Sequence, residues 1–174
     1  MGLRFEVLAA DVDESLLPGE APDAYVVRLA RAKAEAVAQP GVMTLGSDTT
    51  VVLDERVLGK PETEADGTAM LLALSGRNHR VMTGVAVCAE GRTRSVCVTT
   101  EVRFRTIEPW EAAAYWRTGE AADKAGGYGI QGIGGIFAES IDGSYSAVVG
   151  LPLAETERLL RESGLDTWRE RLHD

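Results

Sequence analysis

Gly46-Ser47-Asp48-Thr49-Thr50-Val51-Val52-Leu53, with Gly59-Lys60-Pro61 just behind it, is the stretch around which this chain is organised. Met43 to Leu45 and Val51 to Leu53 are mostly apolar and read as buried strand. Between them the residues are small and polar. That places the Asp48 carboxylate at the end of a rigid strand, flanked by hydroxyls. Gly46 leaves room for another chain or a ligand to approach the backbone. A plain turn closed by an Asx hydrogen bond is the competing reading, and the stretch alone does not separate the two.

Upstream, Ala21-Pro22-Asp23 opens a helix running to about Gln39. Proline suits a first helical turn and aspartate suits the positive helix end. Val26, Leu29, Ala30, Lys33 and Val37 fall on one stripe at helical spacing. Lys33 is thus a cation on an apolar face, where it either snorkels or meets an anion. Before the helix, Phe5 to Ala9 alternates weakly and predicts a strand. Asp11, Asp13 and Glu14 then crowd one short stretch, which reads on composition as a solvated acidic loop.

Downstream, Leu53 to Leu58 predicts a hairpin turn and return strand. Thr63 caps a second helix, with Asp66 completing a capping box, Ala69, Leu72 and Ala73 as its buried face, and Gly76 at its end. Arg77 to Arg80 reads as a polar bend. Val81–Ala89 and Arg92–Arg105 are two long strands around Glu90-Gly91, the second burying Val96, Val98, Val102 and Phe104. Gly84 inside the first marks a close approach. Glu108-Pro109-Trp110 starts a helix that stops at Gly119.

Residues 126 to 135 hold six glycines, too many for ordinary helix or strand. The spacing fits neither a dinucleotide loop nor a P-loop. It predicts a loop whose backbone comes close to a ligand, bearing Lys124 and Gln131. A strand over Ile136–Ile141, a turn at Asp142-Gly143-Ser144, a strand over Tyr145–Val149 and a last helix from Pro152 through Leu153, Thr156, Leu159 and Leu160 complete the chain, with a short tail. No repeat or linker interrupts it, so residues 1 to 174 read as one domain.

Formal net charge is -9, which argues against nonspecific nucleic-acid binding, since that needs a basic face. No apolar run approaches the ~20 residues that span a bilayer, and no leader pattern opens the chain. A cytoplasmic protein with Cys88 and Cys97 reduced is the expectation. His79 and His173 are too few and too far apart to suggest a histidine metal site.

Glu14 and Asp48 supply hard oxygen ligands, and Lys33, Lys60 and Lys124 supply point cations. Oxygen ligands favour magnesium or manganese, and lysine favours phosphate. Acidic groups alone would repel a polyphosphate: two like charges ~4 Å apart repel by ~4 kcal/mol at an effective dielectric near 20. A divalent cation between them reverses that sign. The combination points to metal-assisted phosphoryl chemistry, and no serine, cysteine or histidine arrangement suits covalent catalysis.

Tyr25-Val26-Val27-Arg28-Leu29-Ala30 with Lys33-Ala34, Gly46-Ser47-Asp48-Thr49 with Gly59-Lys60-Pro61, Leu74-Ser75-Gly76 with Val81-Met82-Thr83-Gly84-Val85, and Asp123-Lys124-Ala125-Gly126 with Tyr128-Gly129-Ile130-Gln131-Gly132 together resemble the Maf family. These are nucleoside-triphosphate pyrophosphatases, distant relatives of inosine triphosphate pyrophosphatase. The resemblance implies an α/β fold with a long mixed sheet flanked by helices, two lobes and a cleft, as a homodimer. It implies cleavage between the α and β phosphates to a nucleoside monophosphate and pyrophosphate, with a divalent metal. By position Asp48 resembles the proton acceptor and a metal ligand, Glu14 a metal-binding acid, and Lys33 and Lys60 phosphate contacts, Lys60 close to the catalytic centre. Lys124 joins the substrate side, and Thr49 and Gln131 match positions linked to substrate choice. The Tyr-Gly-Ile-Gln-Gly form resembles the subgroup acting on dTTP and UTP. An amide both donates and accepts, as a pyrimidine carbonyl and N–H require.

One departure stands out. Met1-Gly2-Leu3 aligns with the end of the family's first helix, so the opening Ser-x-Ser-Pro-Arg-Arg unit and its arginines are missing from this sequence. Either further residues precede Met1 in the natural chain, or the chain is short and weakly active. Two other functions stay open: an impaired nucleotide-binding or septum-regulating protein, and a pyrophosphatase of damaged purine triphosphates.

Overall fold

The computed structural model describes residues 1–172, and His173 lies outside them. Helix α1 spans Pro22–Ala36, followed by strands β1 (Thr44–Leu53) and β2 (Arg56–Leu58), helix α2 (Glu64–Leu74), strands β3 (Asn78–Ala89) and β4 (Arg92–Phe104), and helix α3 (Pro109–Trp116). Short 3-10 turns at Ala125–Gly127 and Ile133–Phe137 lead to strand β5 (Ala138–Asp142) and helices α4 (Tyr145–Val149), α5 (Leu153–Glu162) and α6 (Thr167–Leu172). The sheet order is β2-β1-β3-β4-β5. β1 and β2 pair antiparallel with Val51 opposite Leu58, and β4 and β5 pair antiparallel with Val102 opposite Ile141. The expected α/β class, a sheet flanked by helices, is what the chain adopts. Two compact units divide it: residues 1–48, 83–98 and 150–172, and residues 49–82 and 99–149.

In the first unit β3 is covered on both faces. Ala86 and Cys88 meet Ala30 and Ala34 of α1, while Val85 and Val87 meet Leu159 and Leu160 of α5. Alternate strand residues point to opposite faces, so one apolar run serves both helices. The α1 side is built from small residues. A Cβ at Gly46 would collide with the Ala30 carbonyl oxygen and lie 2.6 Å from the Ala34 nitrogen. One at Gly84 would collide with the Val26 carbonyl oxygen and lie 2.8 Å from the Val27 nitrogen. The close approach expected at both glycines is therefore the helix backbone, not a ligand or a second chain.

This also corrects the reading of residues 46 to 50. They form no turn, because β1 runs straight through them. Ser47 Oγ lies 3.0 Å from Gly84 O and 2.7 Å from Gly150 O, its one proton shared between two carbonyls. Asp48 sits within a strand rather than at its end. Helix α1 stops at Ala36, short of Gln39, as Val37 leaves helical geometry before Pro40. No strand forms over Phe5–Ala9; Phe5 and Val7 are more than four-fifths exposed, and a weak alternation without burial has nothing to hold it. On α5, Leu153 is exposed while Thr156, Leu159 and Leu160 are buried. The expected tail contains α6, whose start is capped by Asp166 accepting from the Arg169 N–H.

The second unit has its own core, with Val51, Leu53, Leu71, Leu74, Val81, Val102, Phe104, Tyr115, Tyr128 and Phe137 among its members. The hairpin turn Asp54-Glu55 and the Thr63–Asp66 capping box form as expected. The buried face of α2 is Gly67, Leu71 and Leu74, while Ala69 and Ala73 face solvent. The Trp116 ring packs directly over Gly67, so the residue with no side chain marks the inner face. The supposed bend at 77–80 is the start of β3: Asn78 and Arg80 pair outward with Glu101 and Glu55, and His79 points inward. On β4, Thr100, Val102 and Phe104 are buried, whereas Val96 and Val98 are half-buried. Residues 145–149 are helix rather than strand, since Ser144 accepts the Ala147 N–H through its hydroxyl and the Ala147 and Val148 N–H groups through its carbonyl.

Candidate functional site

The first unit gathers three of the residues singled out. Lys33, in the last turn of α1, places its Nζ 2.7 Å from Glu14 Oε1 and 2.7 Å from Asp48 Oδ1. Of the two outcomes open for Lys33, it meets anions, and two of them. Burial opposes its charge, but the hydrogen bonds to Asp48 and Glu14 outweigh that, and its pKa lies above the usual lysine value. The acidic loop that carries Glu14 is exposed, as its composition reads, yet tied to α1. The Tyr25 hydroxyl donates to Glu14 O at 2.9 Å, and Arg28 donates to Ser15 O at 2.9 Å and to both Glu20 oxygens at 2.6 and 2.8 Å. Burial, then the charges of Asp48 and Glu14, push the Tyr25 phenol up. One face of α1 therefore fixes the loop through Tyr25, Arg28 and Lys33. Tyr25 and Arg28 were absent from the residue-level candidates, although their i, i+3 spacing on a helix beside an acidic loop was visible.

The second unit holds the others. Lys60 is exposed just after β2. Its neighbour Gly59 accepts the Gly126 N–H at 2.9 Å, which sets this loop against the segment starting at Lys124. Lys124 donates to Asp123 at 2.7 Å. The Asp123 carboxyl is lowered by that hydrogen bond first, with the Lys60 charge a smaller contribution. Lys60 and Lys124 thus share one corner. Thr49 lies within β1 and is half-buried. Gln131 is exposed in the glycine-rich loop.

The glycine-rich loop departs from expectation. Its close contact is internal. Glu120 accepts from the Ile133 N–H at 2.8 Å, the Gly134 N–H at 2.9 Å and the Tyr115 hydroxyl at 2.7 Å, and the Tyr115 oxygen accepts the Gly129 N–H at 3.0 Å. Glu120 and Tyr115 were not anticipated from the sequence; their signal is a carboxylate just ahead of a run of glycines.

Chemically, the Glu14–Lys33–Asp48 cluster offers an ammonium donor and two oxygen acids held on it. Among the described residues no group of three or more His, Cys, Asp or Glu could by itself hold a metal ion. Two carboxylates nevertheless fit magnesium or manganese, which keep waters and take substrate phosphates as their remaining ligands. Among the described residues, no helix is long and apolar enough to cross a membrane. Cys88 is buried and Cys97 half-buried, each as a thiol.

The family model for Maf-like proteins matches residues 1–163. A dTTP/UTP pyrophosphatase of Vibrio cholerae is 53% identical over 93% of this chain and 88% of its own length. One from Saccharophagus degradans is 53% identical over 97% of this chain and 83% of its own length. One from Pseudoalteromonas atlantica is 49% identical over 95% and 89%. With a matching family model along nearly its whole length and relatives about half identical across it, the chain belongs to the Maf family.

Proposed function

We propose that this protein hydrolyses dTTP and UTP to the monophosphate and pyrophosphate, clearing them from the nucleotide pool. The observation that carries this reading is the Lys33 ammonium held between Glu14 and Asp48, in a chain about half identical to relatives named dTTP/UTP pyrophosphatases. In this reading Asp48 takes a proton from the attacking water. Water oxygen attacks the α phosphorus, the bond to the bridging oxygen breaks, and pyrophosphate leaves with the electron pair. Lys33 supplies positive charge beside the transferring group, and Lys60 and Lys124 contact the phosphates as fixed charges. Thr49 and Gln131 serve substrate choice. Glu14 and Asp48 would hold a divalent cation, Mg2+ or Mn2+, which would neutralise phosphate charge. The reading includes a homodimer and a cytoplasmic setting, both supported by the family resemblance; sedimentation equilibrium weighs the dimer.

The test is pyrophosphate release from a panel of nucleoside triphosphates, with and without magnesium or manganese. Metal-dependent turnover of dTTP and UTP is expected, with Asp48→Asn slower by about 10²–10⁴-fold, as for loss of a general base. A folded wild-type protein that turns over no triphosphate, or an Asp48→Asn variant of undiminished rate, would overturn the proposal.

A further inference from the structure

We infer that Glu120 and Tyr115 are positioning residues for nucleobase selection, acting through Gln131; the inference rests on the function proposed above. Gln131 occupies a corner of a tight turn, in which the Gly132 N–H donates to Gly129 O at 3.2 Å. That turn is clamped on both sides. Ahead of it, the Tyr115 oxygen takes the Gly129 N–H; behind it, Glu120 takes the Ile133 and Gly134 N–H groups. The clamp is itself anchored. Tyr115 is buried and meets Phe137 edge to face, with ring centres 5.3 Å apart, and Ile130 packs against the same core.

Three glycines of the loop are explained by this clamp. A Cβ at Gly129 would lie 3.0 Å from Glu120 Oε1, one at Gly134 would lie 2.7 Å from the Tyr115 oxygen, and one at Gly132 would run into the Glu120 carboxylate. Burial works against the Glu120 charge, but the bonds from Gly134, Tyr115 and Ile133 hold its carboxyl below the usual glutamate value. An ionised carboxylate only accepts, which matches partners that only donate here. The donors of Gly129, Ile133 and Gly134 are therefore satisfied within the protein and are not waiting for a phosphate. What the loop offers a ligand is the exposed Gln131 side chain, on a backbone whose position Glu120 and Tyr115 set. Reading a base by hydrogen bonds needs donors and acceptors placed to within about half an ångström.

Glu120→Gln tests this, because the amide would point N–H donors at backbone N–H donors. Kcat and KM are measured for dTTP, UTP and GTP in wild type, Glu120→Gln, Gln131→Ala and the double variant. The milder Tyr115→Phe, which removes only one hydroxyl, serves if Glu120→Gln fails to fold. The expected result is at least a tenfold loss of discrimination between dTTP and GTP in Glu120→Gln, partly restored by Glu120→Asp, and no further loss when Gln131→Ala is already present. Unchanged discrimination, or a loss that adds in full to that of Gln131→Ala, overturns the inference. Amide hydrogen exchange gives a readout independent of turnover. The Gly129, Ile133 and Gly134 amides should exchange at least tenfold faster in Glu120→Gln, and unchanged exchange overturns the clamp. A wild-type protein without turnover would sink the proposed function, and exchange would then decide the clamp separately.

Discussion

At the scale of single residues, Lys33 carries the most. The helical stripe made it visible as a cation on an apolar face, yet spacing could not reveal what it meets. Its partners lie 19 residues before it and 15 after it, one in an irregular loop and one in a strand. Removing the ammonium leaves Glu14 and Asp48 facing each other. Lys33→Met should lower stability by about 1–3 kcal/mol, less than a fully buried pair would cost, because the Glu14 side chain is half exposed. Glu14→Gln in that background should restore part of the loss, since one of the two like charges is gone. Urea midpoints of the four proteins in the cycle check this, and a Glu14→Gln that restores nothing would show the two carboxylates do not sense each other.

At the scale of elements, what was legible was local. Thr63 with Asp66 announced α2, Pro22 with Asp23 announced α1, and Asp54-Glu55 announced its hairpin, each through chemistry complete within four residues. What was illegible had remote causes. Gly46 and Ser47 looked like a turn because they are small and polar, but their size answers to α1 and their hydroxyl to Gly84 and Gly150. The glycines at 129, 132 and 134 looked like a ligand cradle, but they answer to Glu120 and Tyr115. The sequence shows a missing side chain, never what stands in its place. Gly84→Ala is the corresponding test. The obstacle is helix backbone, which cannot rotate aside, so about 1–3 kcal/mol of stability should be lost. On the function proposed above, activity should fall with it, because α1 carries Lys33. An alanine variant as stable as wild type would contradict the packing described.

At the scale of the whole molecule, the family resemblance carried what residue patterns could not, namely that strings scattered from Tyr25 to Gln131 belong to one protein type. One buried histidine contributes to the acid sensitivity of the fold. Burial pushes the His79 pKa down to about 4, and its Nε2 lies 2.8 Å from the Tyr128 hydroxyl. The unfolded chain binds that proton near pH 6.5, so the His79 contribution is complete above about 6.5 and declines as pH falls toward 4. The loss amounts to roughly 3 kcal/mol at ~1.4 kcal/mol per pH unit. The isoelectric point of about 4.8 falls inside the same window, so repulsion between molecules vanishes where the fold weakens. Urea midpoints should drop between pH 7 and about pH 5, with light scattering rising, and His79→Gln should flatten the drop. An equal drop in His79→Gln would place the acid sensitivity elsewhere.

With backbone resting on backbone at Gly46 and Gly84, and only small side chains beside them, α1 has little room in which to tilt or slide. Its amides belong among the slowly exchanging ones, opening only when the unit around them opens. The freedom that a loosely seated, lysine-bearing helix would surrender on meeting a ligand is instead lost once, when the chain folds. On the function proposed above, recognition at Lys33 would begin from a helix already in place.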